Sequence, residues 1–205
     1  ELPADELKAA LAALRRAEFI HEQALYPVAE YSFKHPLTQE VALGSQLRER
    51  RRQVHAAVAR AMEHYDAEHL NERAALLAHH WEEAGEALSA ARWHRRAAEW
   101  VAHTDFAAAM RHWGRVRALL RELPDDREAA ALGIVACVQL LNLSWRFGTG
   151  LDEVRGLLEE GQNRANAIGD RRANYYLSAA YGRAVGQSGI GDMAANLERA
   201  IENQR

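Results

Sequence analysis

Leu76-Leu77-Ala78-His79-His80-Trp81-Glu82-Glu83-Ala84-Gly85, followed by Ala91-Arg92-Trp93-His94-Arg95-Arg96-Ala97-Ala98, is the stretch that decides the fold. Leu77, Ala78 and Trp81 share a helical face, and Gly85 stops the helix. Ala90 and Ala97 then present small side chains on the next helix, where two backbones can approach closely. Large residues fill the gaps between successive helices, and small ones sit at the crossings. This is the grammar of a helical hairpin stacked on its neighbours.

The same grammar runs outward in both directions. Helices are predicted over 70–84, 87–103, 106–123, 127–147, 151–168, 171–187 and 193–204. Their separators are short: Gly85, Thr104-Asp105, Pro124-Asp125-Asp126, Gly148-Thr149-Gly150, Gly169-Asp170 and Gly189-Ile190-Gly191. Long helices joined by such turns pack antiparallel on their neighbours. Upstream, a helix over 46–65 is expected to present Leu47, Val54, Val58, Ala61, Met62 and Tyr65 on one face, and a short helix begins at Pro36 and stops at Gly44. Earlier still the period changes. Leu7, Leu11 and Leu14 make one helical face between Pro3 and Arg16. Glu18-Phe19-Ile20-His21 and the alternating Glu30-Tyr31-Ser32-Phe33-Lys34-His35 then read as a β-hairpin around Tyr26-Pro27. The expected fold class is all-α with one short hairpin. Residues 1–44 form a first module and residues 45–205 a helical-repeat domain.

Composition agrees with helices and excludes several classes. Of 205 residues, 41 are alanine and four are proline, and none of the last 81 is proline. Net charge is −3, so no basic surplus advertises nucleic acid. Only Lys8 and Lys34 are lysines among 26 basic residues, a bias expected from a GC-rich genome. The single cysteine, Cys137, cannot form an internal disulfide and suits a reducing cytoplasm. No apolar run reaches the roughly 18 residues a membrane span needs, and no signal peptide is visible. The chain starts on Glu1 and is read as a piece of something longer.

Catalytic and metal motifs are not found. His79-His80 with Glu82 and Glu83 is the densest histidine group, yet adjacent histidines on a helix point about 100° apart and cannot share an ion. Gly44-Ser45-Gln46 lacks the flanks of a nucleophile elbow. Neither a P-loop nor a dinucleotide-binding glycine pattern occurs. Glu82-Glu83 and Glu159-Glu160 read as solvated helix faces. No enzyme, cofactor or metal is therefore expected within these residues.

Two surfaces remain. Arg48-Glu49-Arg50-Arg51-Arg52 is the one basic cluster, and Arg51 is expected to form a structural ion pair tying the hairpin module to the first helical layer. The other surface is the concave face built by the first helices of stacked hairpins, which usually holds peptides. Gln139, Asn142, Arg146, Tyr175 and Ser178 are the candidates to face it. The five tryptophans, Trp81, Trp93, Trp100, Trp113 and Trp145, are expected as filler between helices.

Leu77, Ala78, Trp81, Gly85, Ala90 and Ala97 resemble the tetratricopeptide pattern, and Phe106, Ala109, Trp113 and Val116 resemble its second-helix half. Ile190, Leu197, Ala200 and Ile201 do likewise. The fold expected is a right-handed helical-hairpin superhelix of tetratricopeptide-like repeats, in which one helix serves two hairpins. The run Glu30 to Ser45, with Leu47 to His55 after it, resembles a junction in large bacterial proteins. Those proteins join a class III adenylate/guanylate cyclase, a STAND-type AAA ATPase and a tetratricopeptide-rich tail. Ala167-Ile168-Gly169-Asp170 resembles a later repeat boundary. Leu43 stands where that junction has an aromatic residue.

The resemblance implies that residues 1–44 are the end of a winged-helix module and that the rest opens a sensor tail. In that family the cyclase and ATP-binding residues lie upstream of the matching region. The implied function is a non-catalytic regulatory arm of a cytoplasmic signalling ATPase. Its partners would be a protein or peptide on the concave face and the upstream domains of the same chain. The alternative is a winged-helix module of a transcription regulator, with Arg48 to Arg52 contacting phosphates.

Overall fold

A computed structural model describes residues 3–24, 29–65, 67–123 and 126–188. The Tyr26-Pro27 loop, Pro124-Asp125, the Gly189-Ile190-Gly191 break and the helix expected over 193–204 lie outside the described residues. So do the repeat positions Ile190, Leu197, Ala200 and Ile201. The structure is mostly helical with one two-stranded sheet, and the chain divides into two compact units, Glu1–Arg52 and Gln53–Arg205.

In the first unit, α1 (Ala4–Arg16) carries Asp5 and Glu6 in its first turn and Arg15 and Arg16 in its last, matching the helix dipole at both ends. The chain turns at Glu18, held at φ 61°, and enters β1 (Ile20–Ala24). β1 pairs antiparallel with β2 (Glu30–Phe33), Ile20 opposite Phe33 and Glu22 opposite Tyr31. Ile20 is buried, and Arg15 anchors α1 to the sheet through a 2.7 Å ion pair with Glu22. Pro36 opens α2 (Pro36–Gly44) because the first helical turn needs no donor from it. Leu14, Phe19, Phe33, Leu37, Val41 and Ala42 border an open apolar groove of about 440 Å³.

α3 (Arg48–Tyr65) crosses the division between the units. Its face toward the core of the second unit is only partly the one predicted: Met62 packs on that core and Val54 is half-buried, but Ala61 is exposed. Ala56 and Ala59 are buried, while Leu47 and Tyr65 are more than four-fifths exposed and Val58 is also exposed. The reason is close approach. Ala56 and Ala59 share a cluster with Leu77, Trp81 and Ala90, where an alanine pair lets the bulky partners fit.

The remaining α-helices among the described residues are α4 (Ala74–Ala84), α5 (Ala87–Val101), α6 (Phe106–Leu119), α7 (Arg127–Ser144), α8 (Leu151–Ile168) and α9 (Arg171–Ser188). Each packs on the next from α4 onward, and α7 also packs on α9. Their ends follow local rules. Gly85 at φ 81° closes α4, letting Glu86 N–H reach the Trp81 carbonyl at 3.0 Å, and Gly169 at φ 72° does the same for α8. Asp105, Asp126 and Asp170 cap α6, α7 and α9 by accepting from the backbone N–H three residues on, at 2.8 to 3.0 Å.

α7 is the centre of the second unit. It packs on α6, α8 and α9, and Leu132, Ile134, Cys137, Leu140 and Leu141 are buried along it. A helix surrounded by others is apolar around most of its circumference. Arg127–Phe147 accordingly holds an 18-residue stretch apolar enough by composition to cross a membrane, with a mean hydropathy of 1.4. The unbroken apolar run stays short of a span, as the sequence suggests, because Gln139 and Asn142 interrupt it; only the average over the stretch passes. Just over half of that segment is buried against protein. The tryptophan expectation needs correction. Trp81 and Trp113 are buried as filler, whereas Trp100 and Trp145 are exposed.

Candidate interaction groove

α7 and α9 leave an open groove of about 620 Å³ between them. Ala131, Ile134, Val135, Val138 and Gln139 come from α7, and Ala173 and Tyr176 from α9. Asp170 and Arg172 stand at the α9 N-terminal end. The local sequence explains the space: Ala131 and Ala173 are too small to fill it, while Leu140, Cys137 and Leu177 hold the helices together deeper down. The floor is apolar, Gln139 offers a donor and acceptor, and Tyr176 is more than half exposed. At the end, the first turn of α9 carries Arg171 and Arg172 and no acidic residue, with Asp170 occupied in capping. The helix dipole and two guanidiniums make that end electropositive.

Of the residues singled out from sequence, Gln139 lies in the groove. Asn142 is half-buried, its Oδ1 accepting from an Arg183 guanidinium nitrogen at 2.9 Å. Arg146 lies past the end of α7, its guanidinium 4.3 Å from the Phe106 ring centroid and 4.5 Å from that of Trp145. Tyr175 is exposed and meets Tyr176 edge to face at 5.7 Å. Ser178 is buried beside the Ala173, Leu177, Ala180 and Ala184 stripe of α9, so it points into the core. Tyr176 and Arg172 were the residues missed. Adjacent tyrosines diverge by about 100°, and only the phase set by Ala173 chooses between them.

Arg51 is half-buried on α3, and no carboxylate among the described residues lies within ion-pair distance of it. Arg48, Arg50 and Arg52 are exposed.

A second constellation sits among α4, α5 and α6. Glu82 receives Arg115 through Nε at 2.8 Å and accepts a short contact from His94 Nε2. His94 is buried, and its Nδ1 lies 2.8 Å from Nδ1 of His112. Burial pushes the Glu82 carboxyl up, but hydrogen bonds from Arg115 and His94 outweigh it and hold the group below the usual carboxylate range. Burial lowers His94, helped by the Arg115 charge and opposed by Glu82. Burial also lowers His112, as do the charges of His94 and Arg111. A parallel contact joins α3 and α4, with His55 Nδ1 3.0 Å from His80 Nδ1, and burial, His55 and His79 lower His80. Among the described residues no group of three or more His, Cys, Asp or Glu side chains is arranged to hold a metal ion.

No protein-family model matches the chain, and neither the curated proteins nor the solved structures gave a significant match.

Proposed function

We propose that this chain is a non-catalytic protein-interaction and regulatory module, a tetratricopeptide-like superhelix that binds a peptide segment of a partner between α7 and α9. The observation that carries the reading is the groove itself. It lies between two helices separated in sequence by one, the position where stacked hairpins present a continuous surface. Its apolar floor and electropositive end fit an extended or helical segment with apolar side chains and one acidic group near Arg172. The succession of packed neighbours from α4 to α9, with α7 touching both α8 and α9, supports the superhelical reading.

The resemblance of Glu30 to His55 to the junction of cyclase, STAND ATPase and tetratricopeptide proteins extends the proposal. The module would act as a cytoplasmic sensor or restraining arm of such an ATPase. Binding would favour one of two packings of the arm, and differential affinity would do the switching.

A panel of fluorescent peptides with apolar residues around a single acidic position tests the groove by anisotropy. Gln139→Ala and Tyr176→Ala are expected to weaken the best binder about tenfold each, and Arg172→Ala to weaken acidic peptides selectively. Peptide binding untouched by all three substitutions would overturn the groove assignment. Absence of energetic coupling between this module and the ATPase of an intact parent protein would overturn the regulatory role.

A further inference from the structure

His94 and His112 face each other through the same ring atom. Nδ1 of His94 on α5 lies 2.8 Å from Nδ1 of His112 on α6. A hydrogen bond between two ring nitrogens needs one donor and one acceptor, and an imidazolium has no acceptor. With both rings neutral, His94 donates from Nε2 to Glu82 and accepts at Nδ1 from His112. With one added proton, His94 becomes the donor at both nitrogens, toward Glu82 and toward His112. A second added proton leaves two N–H groups pointed at each other and two like charges in a half-buried site.

The surroundings decide how much acid that takes. Among the described residues, the charged groups facing the pair are Glu82 from α4 and Arg111 and Arg115 from α6. Glu82 favours the first proton on His94, but Arg115 already neutralises that carboxylate. Arg111 and the burial of His94 oppose the second proton. The pair is therefore stable with zero or one extra proton and broken with two.

We propose that His94 and His112 form an acid-sensitive latch: within the packed α5–α6 interface a shared Nδ1 contact links the two helices and, through Glu82, α4, and double protonation releases it. Release would loosen α5 against α6 while the Glu82–Arg115 pair still ties α4 to α6, a regulatory step separate from peptide binding between α7 and α9. The latch acts below the ordinary histidine range, because each ring is disfavoured in its charged form by burial.

The test follows the thermal midpoint of the 205-residue chain from about pH 8 to about pH 4, in the wild type and in His112→Asn. An asparagine amide can donate to His94 Nδ1 or rotate to accept from it, so the contact survives protonation of His94. The expected result is equal helicity at the alkaline end and an acid-induced fall in Tm roughly halved by His112→Asn. Parallel falls in the two proteins would overturn the proposal. Should the variant not fold, the imidazole nitrogen resonances of the wild type decide. Two coupled steps, the second well below the ordinary value, are expected. Independent titration of both rings near the ordinary histidine value, about 6.5, would overturn it.

Discussion

Gly161 and Leu177 meet at the crossing of α8 and α9 with no room for another carbon. A Cβ on Gly161 would lie 3.0 Å from Leu177 Cδ1, still closer to its Cδ2, and 3.3 Å from Cys137 Cβ. Leu177 is fully buried, so its methyls can shift only by displacing their own packing neighbours. Alanine gains about 1 kcal/mol over glycine in a helix interior, but overpacking a closed core costs about 1–3 kcal/mol. Gly161→Ala is therefore expected to destabilise by about 1–2 kcal/mol in urea unfolding. Gly114 in α6 and Gly156 in α8 are different, since a Cβ added at either would meet nothing within 4 Å. Alanine at either is expected to stabilise by up to about 1 kcal/mol. A double-mutant cycle with Leu177→Val should recover part of the Gly161→Ala loss, and strict additivity would show that the crossing is not the cause.

Glu63 serves two tryptophans at once. Its Oε1 accepts from Trp81 Nε1 at 2.8 Å and from Trp93 Nε1 at 2.7 Å, joining α3 to α4 and α5. Removing the carboxylate strands two indole donors, and Trp81 is buried. Glu63→Ala is expected to cost about 2–3 kcal/mol, with Glu63→Gln recovering most of it because the amide oxygen still accepts. Chemical denaturation followed by tryptophan fluorescence checks both, and equal loss in the two variants would contradict the acceptor role.

Much of this fold was legible because its punctuation is local. Gly85, Gly169, Asp105 and Asp126 act on their own turns, so helix ends could be read within a few residues. Faces were harder. Leu47, Val54, Val58, Ala61, Met62 and Tyr65 predict one face over 46–65; Met62 does reach the core, but tertiary packing centred that face on Ala56 and Ala59 and left Leu47, Val58 and Tyr65 exposed. The groove depended on the same unknown: Gln139 was legible as a polar residue on an apolar helix, while Tyr176 over Tyr175 and the inward turn of Ser178 required the phase of α9. The histidine pairs were invisible to spacing rules, since His94 and His112 come from different helices.

Stability should fall on the acid side. His80, His94 and His112 all have values lowered below the ordinary 6.5 in the folded chain. Between the lowered value and 6.5 the unfolded chain binds more protons, so stability rises with pH there. The contribution is complete above about 6.5 and is lost as pH falls through the folded values. Glu82, also lowered, adds a further loss at still lower pH, once its carboxylate protonates. Urea midpoints measured at about pH 7.5, 6 and 5 are expected to decrease in that order, and a flat profile would contradict the buried neutral histidines.

Cys137 lies in the middle of α7, fully buried between α8 and α9, where burial and the Glu160 charge push its thiol up to about 12 against the pull of Arg117, Arg164 and Arg121. A thiol reacts as the thiolate, so two barriers stack: almost none is ionised near neutrality, and reagent cannot reach the sulfur. Labelling by an aromatic disulfide reagent at about pH 8 should therefore proceed only through opening of the α7–α8–α9 core. Labelling is expected to be at least about 100-fold slower than in urea-unfolded chain, and Gly161→Ala should accelerate it because the strain at Leu177 and Cys137 promotes that opening. Reaction of the native chain at the unfolded rate would mean that α7 is not the closed centre of its unit.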